Sequence, residues 1–186
     1  WVVLSWAAGV LAAGLLYWRE HVAFVRSLGS LTACEDIFYS ASSDFGPALV
    51  GVWRPRIIVP ADFAQRYTAS EQALIIAHER LHVRRGDPIV NAAQAVLQCL
   101  FWFNPIMHIA AGRFRFDQEL ACDAAVMRAH PNMRRKYAGA MLKAQSTTTA
   151  AASSMSCQWH SNHPLKERVM ILNKNPPLAA RRIAGR

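Results

Sequence analysis

Residues 1–18, WVVLSWAAGVLAAGLLYW, carry no Asp, Glu, Lys or Arg, and all 21 Lys+Arg and 12 Asp+Glu residues lie from Arg19 onward. The run is close to the ~20 residues an α-helix needs to cross the hydrocarbon of a bilayer. Lipid offers no partner for a backbone N–H or C=O, so a helix is the structure open to a single spanning segment. Trp1, Trp6, Tyr17 and Trp18 gather toward its two ends, where interfacial aromatics anchor a span. Arg19, His21 and Arg26 follow at once, and a basic flank favours the cytoplasmic side. A secretory signal has the opposite order, with basic residues first and small ones last. The sequence therefore predicts a transmembrane helix over 1–18, a cytoplasm-facing domain over 19–175 and a basic tail or linker over 176–186. A start inside an apolar run, without Met, reads as a piece of a longer, multi-pass protein of the inner membrane.

The composition narrows what the domain does. At 53% hydrophobic and 18% charged the chain is not a disordered one. Its 4 cysteines include no Cys-x-x-Cys pair, which excludes a disulfide-dense scaffold and a cysteine zinc knuckle and leaves free thiols as the expectation. The net charge of +9 suggests nucleic acid, but the basic residues are scattered and Arg134-Arg135-Lys136 is the one run of three. Basic residues beside an anionic membrane face account for the charge, so lipid is expected as a partner and nucleic acid is not.

Along the chain the expected class is α+β, predominantly helical. Residues 47–60, PALVGVWRPRIIVP, are β-branched and bracketed by prolines, which predicts a strand or short hairpin with Pro55 on an edge. A free edge can pair with an extended peptide, which makes Val52, Trp53 and Arg54 candidates for a substrate-binding edge strand. Residues 68–87 read as a helix with a Thr68/Glu71 capping box, Arg84 and Arg85 in the last turn and Gly86 as its stop. Residues 88–112 are apolar, with Asn91, Gln94 and Gln98 forming one polar stripe and Asn104-Pro105 a break; the expectation is a core helix touching the edge of the bilayer. Further helices are expected over 113–128, 132–145 and 163–173, and a flexible Ser/Thr/Ala loop over 145–158.

The chemistry centres on His78-Glu79-Arg80-Leu81-His82. Residues four apart share a helix face, so two imidazoles can meet one metal ion, and Glu79 stands beside it where it can take a proton from water. Imidazole and carboxylate ligands with one open position suit zinc. Two histidines need a third ligand. The best candidate is Glu119 in FDQELACD, with Asp123 one turn on to accept the N–H of a ligand histidine. Asp117, His108, His160 and His163 compete for that place.

These residues carry a resemblance. The block from His78 to Asp87, then Phe101-Trp102-Phe103-Asn104-Pro105, then Glu119-Leu120-Ala121-Cys122-Asp123 resembles, in order and spacing, the integral-membrane zinc metallopeptidase domain of the BlaR/MecR-type beta-lactam sensor-transducers. Gly51–Pro60 resembles the strand before the zinc helix of that family, and His163-Pro164-Leu165-Lys166-Glu167-Arg168 its closing helix. The resemblance implies zinc on His78, His82 and Glu119, Glu79 as general base and Asp123 as support. It implies a domain between transmembrane helices that faces the cytoplasm. After an external signal such a domain cuts a regulatory protein, for instance a transcriptional repressor, or itself. The alternative is a zinc-binding membrane scaffold without proteolytic activity.

Overall fold

A computed structural model describes residues 1–147, 157–158 and 165–173. Helix α1 runs Val2–Ser27, nine residues past the uncharged run, and is long and apolar enough to cross a membrane, with its most apolar part unburied. The extension has a packing cause. Phe24 and, just beyond the helix, Leu28 are buried against Phe45, Ala48 and Ile58, so the exposed apolar helix continues straight into a small core.

The sheet is formed by β1 Leu31–Cys34, β2 Ile37–Ser40, β3 Ala48–Val50, β4 Arg56–Val59 and β5 Cys157–Gln158, in the order β1-β2-β4-β3-β5. β2 and β4 pair in parallel, and the other neighbours are antiparallel. The strand or short hairpin expected over 47–60 is the β3–β4 hairpin, but two expectations about it are corrected. Val52, Trp53 and Arg54 lie in the hairpin turn, not in a strand, and Trp53 is 85% exposed. Neither arm is a free edge, because β4 lies between β2 and β3, and β3 is covered by β5. The turn is built on Gly51: at φ 102° a side chain is strained, and a Cβ there would stand 2.8 Å from the Arg54 carbonyl oxygen.

After the short α2 (Phe63–Arg66) come α3 Ala69–Arg85, α4 Asp87–Leu100, α5 Pro105–Ala129, α6 Arg134–Thr147 and α7 Leu165–Asn173. α3 begins as the sequence predicts: the Thr68 hydroxyl accepts from the Glu71 N–H while Glu71 accepts from the Thr68 N–H. It ends at Gly86 in the left-handed region, φ 71°, and α4 starts on the next residue. α5 is longer than expected, because Asn104 caps it and Pro105 opens it instead of interrupting a helix. The main core joins α3, α5, α6 and α7 to the sheet through residues such as Ile75, Val126, Tyr137, Met141 and Leu172. Of the loop expected over 145–158, residues 145–147 finish α6 and 157–158 form β5, while 148–156 and the tail 176–186 lie outside the described residues.

Candidate active site

α3 presents His78, Glu79 and His82 to the interior, where each is at most 1% exposed. The i,i+4 spacing brings the two imidazoles onto one face, with Nε2 of His82 3.0 Å from Nε2 of His78. α5 crosses there and delivers Glu119, whose Oε2 lies 3.4 Å from His78 Nε2 and whose Oε1 lies 3.5 Å from His82 Nε2. Two imidazole nitrogens and the two oxygens of one carboxylate, from two helices, thus converge at separations of 3.0–3.5 Å. Bonds of about 2.0–2.1 Å at the tetrahedral angle set ligand atoms about 3.3 Å apart, so the donor set and its spacing fit zinc.

Each imidazole is held from behind at Nδ1, which leaves Nε2 for the metal. His82 Nδ1 donates to Asp87 Oδ2 at 2.7 Å, and Gln118 Nε2 donates to the other oxygen of Asp87 at 3.3 Å. His78 Nδ1 donates to the Tyr137 hydroxyl at 2.8 Å, and that hydroxyl donates to Asp123 Oδ1 at 2.7 Å. Asp123 also stands 3.3 Å from His78 Nδ1. Its support of that histidine is thus partly relayed through tyrosine. From α7, the buried Arg168 donates through Nε and Nη2 to both oxygens of Asp123 at 2.8 Å, and its Nη1 lies 3.0 Å from Glu119 Oε2. Cys122 Sγ packs 3.6 Å from His82 Nδ1. That nitrogen already serves Asp87, so the buried His82–Asp87–Cys122 group supports the site and does not make a second one.

Proton affinities follow from this packing. Burial alone would depress both imidazoles. The neighbouring Asp123 and Glu119 carboxylates outweigh it at His78, raising it to about 9, and Asp87 does so at His82, raising it to about 10. Burial pushes the carboxyls of Glu119 and Asp123 up, but the Arg168 guanidinium and the histidines win, holding Glu119 near about 2 and Asp123 well below the carboxylate range. Glu79 goes the other way. It has no cation bonded to it, and burial carries it up to about 7 against the pull of His78 and His82. Both of its oxygens are buried with no hydrogen-bond partner among the described residues.

Of the residues singled out from sequence, His78, Glu79, His82, Glu119 and Asp123 come together here. Asp117 is exposed, and His108 lies in a separate hydrogen-bonded contact with Gln98 and the Trp102 carbonyl. Val52, Trp53 and Arg54 sit in the turn described above, and His160 and His163 lie outside the described residues. Sequence reasoning missed Asp87, Tyr137 and Arg168. A carboxylate just past the glycine that ends the histidine helix was a usable signal for Asp87. Tyr137 and Arg168 sit 59 and 45 residues from their partners His78 and Asp123 and carry no local signature.

Comparison with known proteins gives the same placement. The Regulatory protein BlaR1 of Bacillus licheniformis is 28% identical over 131 residues, 68% of this chain and 22% of that protein. The Methicillin resistance mecR1 proteins of Staphylococcus aureus (strain Mu50 / ATCC 700699) and Staphylococcus epidermidis are each 30% identical over 141 residues, 73% of this chain and 24% of those proteins. The chain thus spans about a quarter of the length of the curated relatives it matches. The profile of the peptidase family described as BlaR1 peptidase M56 matches residues 1–172, and the chain belongs to that family.

Proposed function

We propose that the chain is the catalytic part of a membrane-embedded zinc metalloendopeptidase that cuts a regulatory protein, or its own chain, in transmembrane signalling. The observation that carries this reading is the convergence of His78 Nε2, His82 Nε2 and the Glu119 carboxylate beside the unpartnered Glu79. Zinc, which those three residues would hold, would supply a Lewis acid for the scissile carbonyl and a water acidic enough to react near neutral pH. Glu79 is free to accept the proton of that water, because no other group of the described residues claims its oxygens. Burial favours its protonated form, which suits it to return the proton to the leaving amine. Asp87 and the Tyr137–Asp123 pair fix the histidine tautomers, and Arg168 keeps Glu119 and Asp123 ionised. The basic flank Arg19, His21 and Arg26 supports a cytoplasmic orientation of the domain, where a repressor would be within reach.

The test is zinc content together with cleavage of dye-labelled casein and of the chain itself, followed by intact mass. Glu79→Gln should keep about one zinc per chain and lose about 10²–10⁴-fold in cleavage. Glu119→Gln should bind zinc weakly. A wild-type protein that binds zinc but cuts nothing, with Glu79→Gln indistinguishable from it, would make the domain a silent zinc-binding scaffold. A zinc-dependent cut within 145–158 would identify a self-processing site, and its absence would remove that segment as one.

A further inference from the structure

The longest uncharged stretch outside α1 is Pro88–Gly112, which contains no Asp, Glu, Lys or Arg and spans α4, the Phe101–Asn104 turn and the start of α5. A helical hairpin this apolar would ordinarily lie in a soluble core. Here its outer face is open: Val96 is 58% exposed, Phe103 59%, Ile109 66% and Ile106 71%. It lies along α1 rather than beneath the sheet. Val10, Gly14 and Tyr17 of α1 line one groove with Ala92, Ala95 and Cys99 of α4. At the tip, Trp6 Nε1 donates to the Leu100 carbonyl at 3.0 Å, and the Trp102 indole lies so close over Gly9 that no side chain would fit there. From Tyr17 to Trp6 the hairpin follows α1 for about 16 Å at 1.5 Å per residue, more than half of a ~30 Å hydrocarbon core.

We infer that the α4–α5 hairpin dips into the bilayer beside α1 as a re-entrant element, with its outer face covered by lipid acyl chains. This rests on α1 spanning the membrane. The occupant follows from continuity: the open face of the hairpin adjoins the open apolar face of α1, on which Leu11 is 75% exposed. Polar side chains of the hairpin turn inward, with Gln94 Oε1 and Gln98 Oε1 buried and without a hydrogen-bond partner among the described residues. Asn91 and Gln98 are buried; Gln98 Nε2 donates to His108 Nδ1 at 3.2 Å, and His108 Nε2 donates to the Trp102 carbonyl at 3.1 Å, closing the turn on itself. The first charge on the way out is Arg113 on α5, and on α4 it is Asp87, the residue that holds His82. The depth of the hairpin therefore sets the candidate active site at the membrane surface. A shift of α4 in the bilayer would act on a metal-binding histidine through a single side chain.

The experiment is nitroxide accessibility in phosphatidylcholine/phosphatidylglycerol nanodiscs, with the label carried on p-acetylphenylalanine placed singly at Leu11, Val96, Ile109 or Leu142, so that the native cysteines are untouched. Leu142, 56% exposed on α6, is the water-facing reference. Expected is an oxygen-accessible, nickel-shielded signal at Val96 and Ile109 as at Leu11, with nickel-chelate accessibility at least about fivefold below that at Leu142. Water-like accessibility at Val96 and Ile109 with Leu11 in lipid overturns the hairpin proposal alone. Low accessibility to both reagents also overturns it, and would mean that protein covers the face. Water-like accessibility at Leu11 itself brings down the spanning reading.

Discussion

Replacing Arg168 by Met removes a buried guanidinium that lies against two carboxylates, Glu119 at 3.0 Å and Asp123 at 2.8 Å on both oxygens. Met keeps most of the volume, so the loss is electrostatic and not one of packing. Removing one partner of a buried ion pair costs about 3–5 kcal/mol, because the other charge stays behind unpaired. In the metal-free protein both carboxylates lose that guanidinium and keep only the histidines and, for Asp123, the Tyr137 hydroxyl, so the loss should fall within that range. With zinc on the histidines and Glu119, one of the two carboxylates regains a cation, and the loss should shrink by about 1–3 kcal/mol, the cost of an unsatisfied buried acceptor. For a domain of this size 1 kcal/mol moves the midpoint by about 2–4 °C. The metal-free variant should therefore melt about 10 °C or more below wild type, and zinc should restore several degrees beyond what it adds to wild type. Circular dichroism melts in detergent, with and without zinc, give the comparison. A variant that melts within about 2 °C of wild type in both states would refute the clamp. An equal loss with and without zinc would refute the sharing of Glu119 between Arg168 and the metal.

Asp87→Asn should leave the fold in place and weaken zinc binding about 10–100-fold in a chelator competition, because Asn holds the His82 tautomer less firmly. Unchanged affinity would mean that Asp87 serves only to start α4. Glu71 lies under Lys143, whose ammonium is 2.8 Å from both of its oxygens; burial raises its proton affinity, but Lys143 and Thr68 more than offset that and lower it below the ordinary 4.5. The contact therefore contributes stability above about pH 4.5 and loses it as pH falls through the lowered value. The melting difference between wild type and Lys143→Met should be largest at neutral pH and shrink on acidification; a difference that grows below pH 4.5 would contradict this sign.

What the sequence made legible is what local spacing encodes. The capping box at Thr68 and the glycine stop at Gly86 frame the histidine helix, and the i,i+4 offsets of His78/His82 and Glu119/Asp123 each put their pair on one face. Less legible was where an element stops when tertiary packing decides. α1 runs on to Ser27 because Phe24 finds a pocket in the sheet. α5 begins at Pro105 because a proline that would interrupt a helix also starts one well. The strand over 47–60 folded back at Gly51, and its turn took the residues expected to bind substrate. The sheet edge could not be read from the hairpin alone, since what covers β3 comes from more than a hundred residues later in the chain. Tyr137 and Arg168 are ordinary residues in ordinary helices until α6 and α7 meet α3 and α5.

The charges of the site make one system. Four carboxylates, those of Glu79, Asp87, Glu119 and Asp123, are buried around two histidines; Arg168 reaches two of them and the half-exposed Arg85 a third, Asp87, at 3.3 Å. Such a cluster is tolerable only if a further positive charge enters it, as a divalent ion or as protons on the imidazoles. Asp87, Glu119 and Asp123 each have a partner, so Glu79 is the member left to change its charge during a reaction. If the supports act as one unit, their losses will not add. Asp123→Asn strands part of the Arg168 charge and Arg168→Met strands Asp123, but in the double variant neither charge is left facing a missing partner. The double variant should therefore be more stable than the sum of the single losses predicts, by about 0.5–3 kcal/mol. The same detergent melts, taken through the four members of the cycle, measure that coupling. Additive losses would mean that Arg168 and Asp123 act on the site separately, and that α7 contributes packing and not charge.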